Sequence, residues 1–260
     1  MNILVTGSTG VLGSRLYNLI SNLKTYKLFR FRGDLTNFSQ VKKNFSDNHS
    51  YDIIIHLAAL VPIKEVNNEP GKAYAVNVGG TINLLRATFE FNQRPFFLFA
   101  SSSHVYSPKN SPLKEIDKLK PISIYGETKM HAESIISSFC NKIKIDYCIA
   151  RIFSFYDKNQ KPPFLYANIK QRIEEEDLTK PFFISGGNSK RDFLTAKQVS
   201  KIIFKLVQHK KTGIYNIGSG VGKTVKDFVQ ELSSVNLNIK TDEKFDALIA
   251  DISKIKNILE

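Results

Sequence analysis

The fold is decided at the N-terminus, where residues 3–13 read ILVTGSTGVLG. An apolar strand runs into a glycine-rich turn, and the turn runs into the start of a helix. In such a turn Gly7 permits the tight bend, Gly10 lets the backbone approach a pyrophosphate, and Gly13 lets the helix pack closely on the strand. The phosphates would meet unpaired N–H groups at the positive end of the helix dipole. The stretch therefore predicts a dinucleotide site; a plain strand–helix connection is the alternative.

Strand and helix patterns alternate through the first half of the chain, which predicts an α/β fold with a parallel sheet covered on both faces. The strands are expected in short apolar runs at Asn2–Thr6, Tyr26–Phe31, Tyr51–Leu57, Phe96–Ala100 and Asp146–Ile149. The helices are expected in the segments Val11–Leu23, Phe38–Asn44, Gly71–Phe91 and Ile124–Lys142.

The later part of the chain changes character. Polar loops are predicted at Asp157–Pro163 and Thr179–Arg191 because these segments are rich in proline, glycine or serine. The remaining elements are expected as helices at Leu165–Glu176, Lys197–Gln208 and Val225–Ser234 and a strand at Ile214–Ile217. We predict a doubly wound Rossmann-type domain over residues 1–155, rejoined by 192–218. Residues 156–191 and 219–260 would form a small substrate-binding lobe.

The composition argues against nucleic-acid and membrane partners. The net charge is +13 at pH 7, but the lysines are spread along the chain, so we interpret them as solvated surface charges. No apolar run approaches the ~20 residues that span a bilayer, and we see no signal peptide, so the cytoplasm is the expected location. Cys140 and Cys148 stand outside any metal-ligand spacing. We therefore expect two core thiols in a reducing compartment and no metal site.

A tyrosine and a lysine four residues apart, Tyr125 and Lys129, would share one face of a predicted helix. A nearby ammonium favours the phenolate and would lower the tyrosine's pKa from about 10, as a general acid/base requires. Upstream, Ser101–Ser103 end an apolar strand at the sheet edge where such folds place chemistry. The alternatives are an exposed surface pair and a polar turn.

A second glycine-rich stretch, GSGVGKT at residues 218–224, looks like a P-loop. Its first glycine is one residue too close to the lysine, and Ile217 stands at the required position. We therefore predict an ordinary loop ahead of a helix.

Taken together, these motifs resemble the extended short-chain dehydrogenase/reductase family, particularly its nucleotide-sugar epimerases, dehydratases and 4-ketoreductases. The resemblance covers nearly the whole chain and is carried, in order, by TGSTGVLG (6–13), GDL (33–35), HLAA (56–59), NVGGT (77–81), SSSHVY (101–106), YGETK (125–129), RDF (191–193), YNIGSG (215–220) and DISK (251–254).

The resemblance implies roles for the polar residues. Tyr125 would be the catalytic acid/base, Lys129 would bind the nicotinamide ribose and tune Tyr125, and Ser102 aligns with the family's catalytic Ser/Thr. Ser103 and His104 fall where some members place additional acid/base groups. His104 would either protonate a substrate carbon in an epimerisation or merely line the pocket.

The resemblance also implies the binding sites. Arg191 resembles the arginine that grips the substrate's diphosphate. Together, Ser102, Ser103, His104, Tyr125 and Arg191 would contact a nucleotide-sugar substrate. The cofactor site would draw on Gly7, Ser8, Thr9, Gly10, Val11, Leu12, Arg30, Arg32, Asp34, Leu35, Leu57, Ala58, Ala59, Tyr125 and Lys129.

The end of the second strand bears on the form of the cofactor. An NAD-binding turn typically offers a carboxylate there, but this chain offers Arg30 and Arg32, which could neutralise a 2′-phosphate. Asp34 comes later, at a position resembling the family's adenine contact. NADP(H) is therefore favoured over NAD(H).

NADPH usually serves as a consumable reductant, so we expect hydride transfer to the 4-keto group of a nucleotide-linked hexose of the 6-deoxy type. The alternatives are an NAD-dependent nucleotide-sugar 4-epimerase and a non-catalytic cofactor-sensing protein on the same scaffold. Ser154, Asp157 and Ala196–Lys197 depart from the family's usual residues and bear on substrate identity. Family members often pair the two helices expected at Gly71–Phe91 and Ile124–Lys142, which implies a homodimer.

Overall fold

The structure, a computed structural model, describes residues 1–46 and 49–259. In this part of the chain the strands are β1 (Asn2–Thr6), β2 (Lys27–Arg30), β3 (Ile53–His56), β4 (Phe96–Ser102), β5 (Tyr147–Ile152), β6 (Ser154–Tyr156), β7 (Phe182–Ile184), β8 (Lys190–Thr195), β9 (Gly213–Ile217), β10 (Gly222–Thr224), β11 (Ile239–Thr241) and β12 (Ala247–Leu248). The helices are α1 (Val11–Ser21), α2 (Phe38–Ser46), α3 (Ile63–Asn68), α4 (Pro70–Tyr74), α5 (Gly80–Glu90), α6 (Ile124–Ile143), α7 (Leu165–Glu175), α8 (Ala196–Gln208), α9 (Val225–Leu232) and α10 (Ser253–Leu259).

Six parallel strands form the central sheet in the order β2-β1-β3-β4-β5-β9. The middle of each inner strand is apolar because helices cover both faces; Ile53, Ile54 and Ile55 of β3, for example, are fully buried. The strand order reverses between β1 and β3, and ligands of open α/β sheets bind at the carboxyl ends of strands at such a point. The predicted α/β fold with a parallel Rossmann-type sheet is confirmed.

Two apolar layers hold the helices against this sheet. On one face Leu16 of α1 and Leu206 of α8 belong to a cluster that also contains Cys148; on the other, Leu84 of α5 belongs to a cluster with Cys140. Burial raises the pKa of both thiols to about 12. Both cysteines are therefore core residues, as expected.

The remaining strands build the smaller part of the molecule. Strand β6 pairs with β8, which also pairs with β10 and β12, and β7 pairs with β11. The prediction of a loop over Thr179–Arg191 is wrong, because β7 and the start of β8 lie in it. The apolar triplet Phe182–Ile184 pairs with a strand more than fifty residues later, a contact that the local polar composition conceals. The boundary between residues 1–155 with 192–218 and the rest stays a prediction.

Three further differences from the sequence expectation lie near the site. Strand β4 continues to Ser102, so the first two of the three serines are extended rather than part of a turn. Strand β5 runs on to Ile152 and so includes Arg151. The segment expected as one helix over Gly71–Phe91 contains a π-helical turn at Ala75–Gly79 between α4 and α5. None of the described helices is long and apolar enough to cross a membrane.

Candidate active site

The glycine turn lies between β1 and α1, at the point where the strand order reverses. Gly7 has φ +66°, and a Cβ there would lie 2.7 Å from the amide nitrogen of Ala58. A Cβ on Gly13 would overlap the carbonyl oxygen of Gly7. A Cβ on Gly10, by contrast, would meet only the Gly7 carbonyl oxygen, at 3.4 Å. The turn therefore needs Gly7 and Gly13 for its own packing, whereas Gly10 leaves the space in front of the helix open.

The loop after β3 closes the other side of this space. The hydroxyl of Thr6 accepts a hydrogen bond from the Ala58 amide at 3.2 Å, and the Leu57 amide donates to the Thr6 carbonyl. The structure thus brings the residues expected to hold the cofactor, Gly7–Leu12 and Leu57–Ala59, to one edge of the sheet. A dinucleotide backbone fits this cradle, because helix α1 begins there with no side chain capping its first amides.

A basic groove runs along the outer edge of β2. Arg30 ends that strand, and its guanidinium lies 3.9 Å from the centre of the Tyr17 ring. Arg32 and Lys43 line the same groove, and none of its described lining residues is acidic. The arrangement suits an anion beside the carboxyl end of β2.

The turn after β2 fixes Asp34 and Leu35. Gly33 has φ +107°, and the Asp34 amide donates to Gln40 at 2.7 Å. The Asp34 carboxylate accepts from the Thr36 amide, while Leu35 is buried. One carboxylate oxygen of Asp34 is therefore engaged within its own turn.

Tyr125 and Lys129 lie one turn apart on α6, as predicted, and both are buried. Burial raises the pKa of Tyr125 to about 12, which a hydrogen bond with Ser102 offsets only in part. The Lys129 ammonium donates to the carbonyl oxygen of Ala100 at 2.7 Å, and burial lowers its pKa to about 7. The expectation of a lowered pKa for Tyr125 is thus wrong for this structure, because burial outweighs the influences that favour the phenolate.

His104 lies beside Tyr125, with 5.7 Å between the ring centres. A Cβ on Gly126 would overlap the His104 carbonyl oxygen, so helix α6 and the turn after β4 are in direct contact. The Ser102 hydroxyl accepts from the His104 amide at 3.2 Å, and Ser103 is buried between them in the chain. Burial lowers the pKa of His104 and so favours the neutral imidazole, and its role as a proton donor or as a lining residue stays a prediction.

Arg191 approaches from β8. Its positive charge adds to burial in lowering the pKa of His104. Nη1 of the guanidinium donates to Oδ1 of Asp246 at 2.6 Å. The negative charge of Asp246 raises the pKa of His104, against the effect of Arg191. The sequence did not single out Asp246, since the two residues lie 55 positions apart. The structure therefore brings Ser102, His104, Tyr125 and Arg191 into one site.

The stretch that looks like a P-loop binds a carboxylate of the protein itself. Asp192 accepts hydrogen bonds from the Ser219 amide at 2.6 Å and the Gly220 amide at 2.9 Å. The Ser219 hydroxyl and the Ala250 amide bind the same carboxylate. The prediction of an ordinary loop is confirmed for residues 218–221 and is wrong for the last three residues, which form strand β10.

A buried polar network behind the site was not anticipated from the sequence. Arg151 donates from Nη2 to Glu133 at 2.7 Å and from Nη1 to the Tyr106 hydroxyl at 2.7 Å. Tyr106 in turn donates to the side-chain carbonyl of Asn216 at 2.8 Å. One available signal was the position of Glu133, four residues beyond Lys129 on the same helix.

A second network links the glycine turn to helix α5. The Thr6 hydroxyl donates to Nδ1 of His56 at 2.7 Å, and Nε2 of His56 donates to the Thr81 hydroxyl at 2.9 Å. These directions follow because Thr81 donates its own hydrogen to the Asn77 carbonyl. Burial lowers the pKa of His56 to about 3, so the ring is neutral. No group of three or more potential metal ligands occurs among the described side chains.

Comparison with known proteins agrees with this geometry. A model of the NAD dependent epimerase/dehydratase family matches residues 3–218. GDP-6-deoxy-D-talose 4-dehydrogenase from Aggregatibacter actinomycetemcomitans is 30% identical over an alignment that covers 100% of this chain and 91% of that protein.

Two solved structures share the fold. RMD from Pseudomonas aeruginosa complexed with NADPH superposes with a TM-score of 0.88 at 23% identity, covering 99% of this chain and 91% of the other. UDP-glucose 4-epimerase from Thermus thermophilus in complex with NAD gives 0.83 at 21% identity, covering 99% and 92%. The motif resemblance is thereby confirmed, and this chain belongs to the NAD dependent epimerase/dehydratase family of NAD(P)-dependent enzymes.

Proposed function

We propose that the protein uses NADPH to reduce the 4-keto group of a nucleotide-linked 6-deoxyhexose. The observation that carries this proposal is the buried Tyr125, whose phenol lies close enough to Ser102 for that hydroxyl to lower its pKa against the effect of burial, in a site that also contains Lys129. A ketone oxygen placed beside these two hydroxyls could accept a hydrogen bond from each. That is the environment in which a carbonyl becomes an alkoxide and takes up a proton.

Tyr125 is the proton donor in this scheme. Because burial raises its pKa to about 12, the phenol holds its proton until negative charge develops on the substrate oxygen. Ser102 would orient that oxygen, and Lys129, one helical turn away, would offer positive charge to the phenolate left behind. NADPH, when bound along the glycine turn, supplies the hydride to the carbonyl carbon.

The 4-position and the class of sugar are supported by the relative that is 30% identical. Its name describes dehydrogenation at position 4 of a GDP-linked 6-deoxyhexose. The reverse of such a step is the reduction proposed here. Arg191 would bind the diphosphate once it exchanges Asp246 for phosphate oxygens, a geometry that a planar guanidinium suits.

The basic groove supports NADPH over NADH. Arg30, Arg32 and Lys43 would surround a 2′-phosphate with positive charge, and no acidic side chain among the described lining residues opposes it. A structural neighbour holds NADPH, whereas another holds NAD, so the choice within this chain rests on its own arginines.

The test is a spectrophotometric assay in which NADPH or NADH is mixed with a panel of nucleotide-linked 4-keto sugars. We expect NADPH to be oxidised with at least one 4-keto-6-deoxyhexose, and the alcohol product to be found by mass spectrometry. If neither cofactor were oxidised across the panel, the reductase proposal would be abandoned.

The second candidate, an NAD-dependent nucleotide-sugar 4-epimerase, is favoured by the family match, which includes epimerases. Such an enzyme would copurify with NAD and would interconvert two nucleotide sugars without consuming cofactor. Denaturing the purified protein and analysing the released nucleotide distinguishes the two candidates.

We also propose a cytoplasmic homodimer that pairs helices α5 and α6 of two copies. Ile82 and Phe89 lie seven residues apart on α5, and their side chains are 42% and 56% exposed. Two such residues on one helix face suit burial against another copy. Light scattering of the protein and of a Phe89→Glu variant tests the dimer, which the variant should weaken.

A further inference from the structure

Helix α6 presents three ionisable side chains to the sheet at intervals of four residues: Tyr125, Lys129 and Glu133. All three are buried, and residues four apart on a helix are neighbours on one face. The first two are the residues proposed for the chemistry. The third, Glu133, has no role in that scheme, although burying a carboxylate is costly unless it is paired.

Three consecutive residues of β4 hold these three side chains. The Ser102 hydroxyl lies close enough to Tyr125 to lower its pKa, the carbonyl oxygen of Ala100 accepts from the Lys129 ammonium, and the Ser101 hydroxyl donates to Glu133. The end of β4 and the face of α6 are thus joined at three successive points. Glu133 provides the point that fixes the strand immediately before Ser102.

Arg151 of β5 compensates the charge of Glu133. Its Nε donates to both carboxylate oxygens, at 3.1 and 3.2 Å, and its Nη2 donates to Oε2 at 2.7 Å. Its Nη1 donates to the Tyr106 hydroxyl, directly beyond the Ser103–Val105 turn. The segment between Ser101 and Tyr106 is therefore held at both ends by one buried ion pair.

We propose that Glu133 is a positioning residue for this active site, which fixes the end of β4 against α6 and supplies the negative charge that stabilises the Lys129 ammonium. The proposal rests on the proposed role of the Tyr125–Lys129 pair. Glu133 does not touch the reacting atoms in it.

The charged and titratable groups around Lys129 agree with that role. Glu133 is the group that favours the ammonium, against the burial that lowers the pKa of Lys129 to about 7. At pH 7 His56 of β3 is neutral, and Tyr125, on the same helix as Lys129, keeps its proton. Arg151 lies behind Glu133 and is bound to it. Removing the carboxylate should therefore leave a buried ammonium without its compensating charge, so that it loses its proton more readily.

The experiment is an NMR titration of the whole protein labelled with ¹³C at the lysine ε-carbon. Surface lysines titrate near 10.4, so the signal that titrates near neutral pH is conspicuous, and its loss in Lys129→Met assigns it. In Glu133→Gln we expect the midpoint of this signal to fall by about one pH unit, the lower end of the range for a nearby opposite charge. An unchanged midpoint would overturn the proposal.

Two further variants keep the test decisive. Ser101→Ala removes an anchor but keeps the carboxylate, so the midpoint should stay within about 0.3 pH unit of the wild type, well below the effect of a lost charge. If Glu133→Gln does not fold, Glu133→Gln/Arg151→Met removes both charges together, a replacement that buried ion pairs often tolerate. A smaller downward shift is expected there, because the repulsion from Arg151 is removed with the carboxylate, and its absence would again overturn the proposal. Because no substrate is used, the outcome does not depend on which sugar the enzyme reduces.

Discussion

Arg15 and Asp157 form two parallel hydrogen bonds, from Nε to Oδ2 and from Nη2 to Oδ1, each 2.8 Å long. Arg15 lies in the second turn of α1, just after the glycine turn, and Asp157 follows β6, where the chain leaves the central sheet. The pair fastens the start of the smaller part of the molecule to the helix that begins at the glycine turn.

Asp157→Asn should lower the free energy of unfolding at pH 7 by about 1–3 kcal/mol, because it removes charged hydrogen bonds at a buried carboxylate. The bond to Arg15 holds the pKa of Asp157 below its usual value. The stabilisation that the ionised Asp157 provides is therefore fully present above the usual pKa of an aspartate. It is lost as the pH falls through the lowered pKa of the folded state. Urea denaturation at pH 7 and pH 3 measures both effects. Glu69→Gln, at an exposed pair with Lys72, should leave the free energy of unfolding almost unchanged; an equal cost for both variants contradicts the assignment.

Gly13→Ala should destabilise the fold by about 3 kcal/mol, because the new Cβ overlaps the Gly7 carbonyl and one of the two elements must move. Gly10→Ala is the matched control, with ordinary space for a Cβ, and should cost less than about 1 kcal/mol. If the pyrophosphate lies against the turn, Gly10→Ala should nevertheless weaken cofactor binding about tenfold or more. Thermal unfolding and cofactor titration separate the two effects. Wild-type affinity in Gly10→Ala would place the pyrophosphate elsewhere.

His56→Gln should change how stability depends on pH. Burial holds the folded-state pKa of His56 at about 3, so between pH 6.5 and 3 only the unfolded chain takes up this proton. The wild type should therefore lose about 1.4 kcal/mol per pH unit through this residue as the pH falls across that window. The variant should be less stable at pH 7 by about 1–3 kcal/mol, since a buried hydroxyl loses its partner. Denaturation curves between pH 7 and 4 should show the two stabilities converging; parallel curves would mean that His56 is not buried neutral.

Arg30→Ser/Arg32→Ser should raise the dissociation constant for NADPH by about tenfold or more while leaving that for NADH within about twofold, because only the 2′-phosphate loses its charge partners. Fluorescence titration of both cofactors measures this ratio. Lys118→Ser/Lys120→Ser, which also removes two positive charges, is a suitable control, since neither lysine is among the residues that line the groove. Equal weakening of both cofactors would show that the arginines serve the fold or the common part of the nucleotide.

Tyr125→Phe should lower turnover by about a hundredfold or more, because the buried phenol is the proposed proton donor and phenylalanine has no proton to give. Cofactor affinity should stay within about twofold, since the ring remains in place beside His104. Steady-state kinetics and cofactor titration of the same preparation provide the comparison. A variant that retains most of its turnover would remove Tyr125 from the chemistry.

The features that the sequence predicted well are formed by residues that lie close together in the chain. Gly7 and Gly13 meet within one turn, and Tyr125 and Lys129 meet through helical periodicity, so both arrangements follow from spacing. The central strands could also be predicted, because a continuous apolar run such as Ile53–Ile55 is typical of a strand that is buried on both faces. These features were enough to predict the fold and the family.

The features that the sequence could not predict are contacts between residues that lie far apart in the chain. Asp246 reaches Arg191 across 55 positions, and Arg151 reaches Tyr106 across 45. The direction of the Tyr125 pKa was mistaken for a related reason. Burial of the phenol is set by the packing of several elements together, and spacing alone conveys only the nearby lysine.

The loop around Asp192 has a consequence for interpreting glycine-rich sequences. A Cβ on Gly218 would lie 2.5 Å from a carboxylate oxygen of Asp192, so this glycine is required by an anion that the protein supplies itself. Convergent backbone amides accommodate a carboxylate much as they accommodate a phosphate. A nucleoside triphosphate would have to compete with a tethered anion that never diffuses away. The carboxylate of Asp192 therefore already fills the anion site that the loop amides form. The loop resembles a P-loop because both bind an anion through backbone amides, although the anions differ.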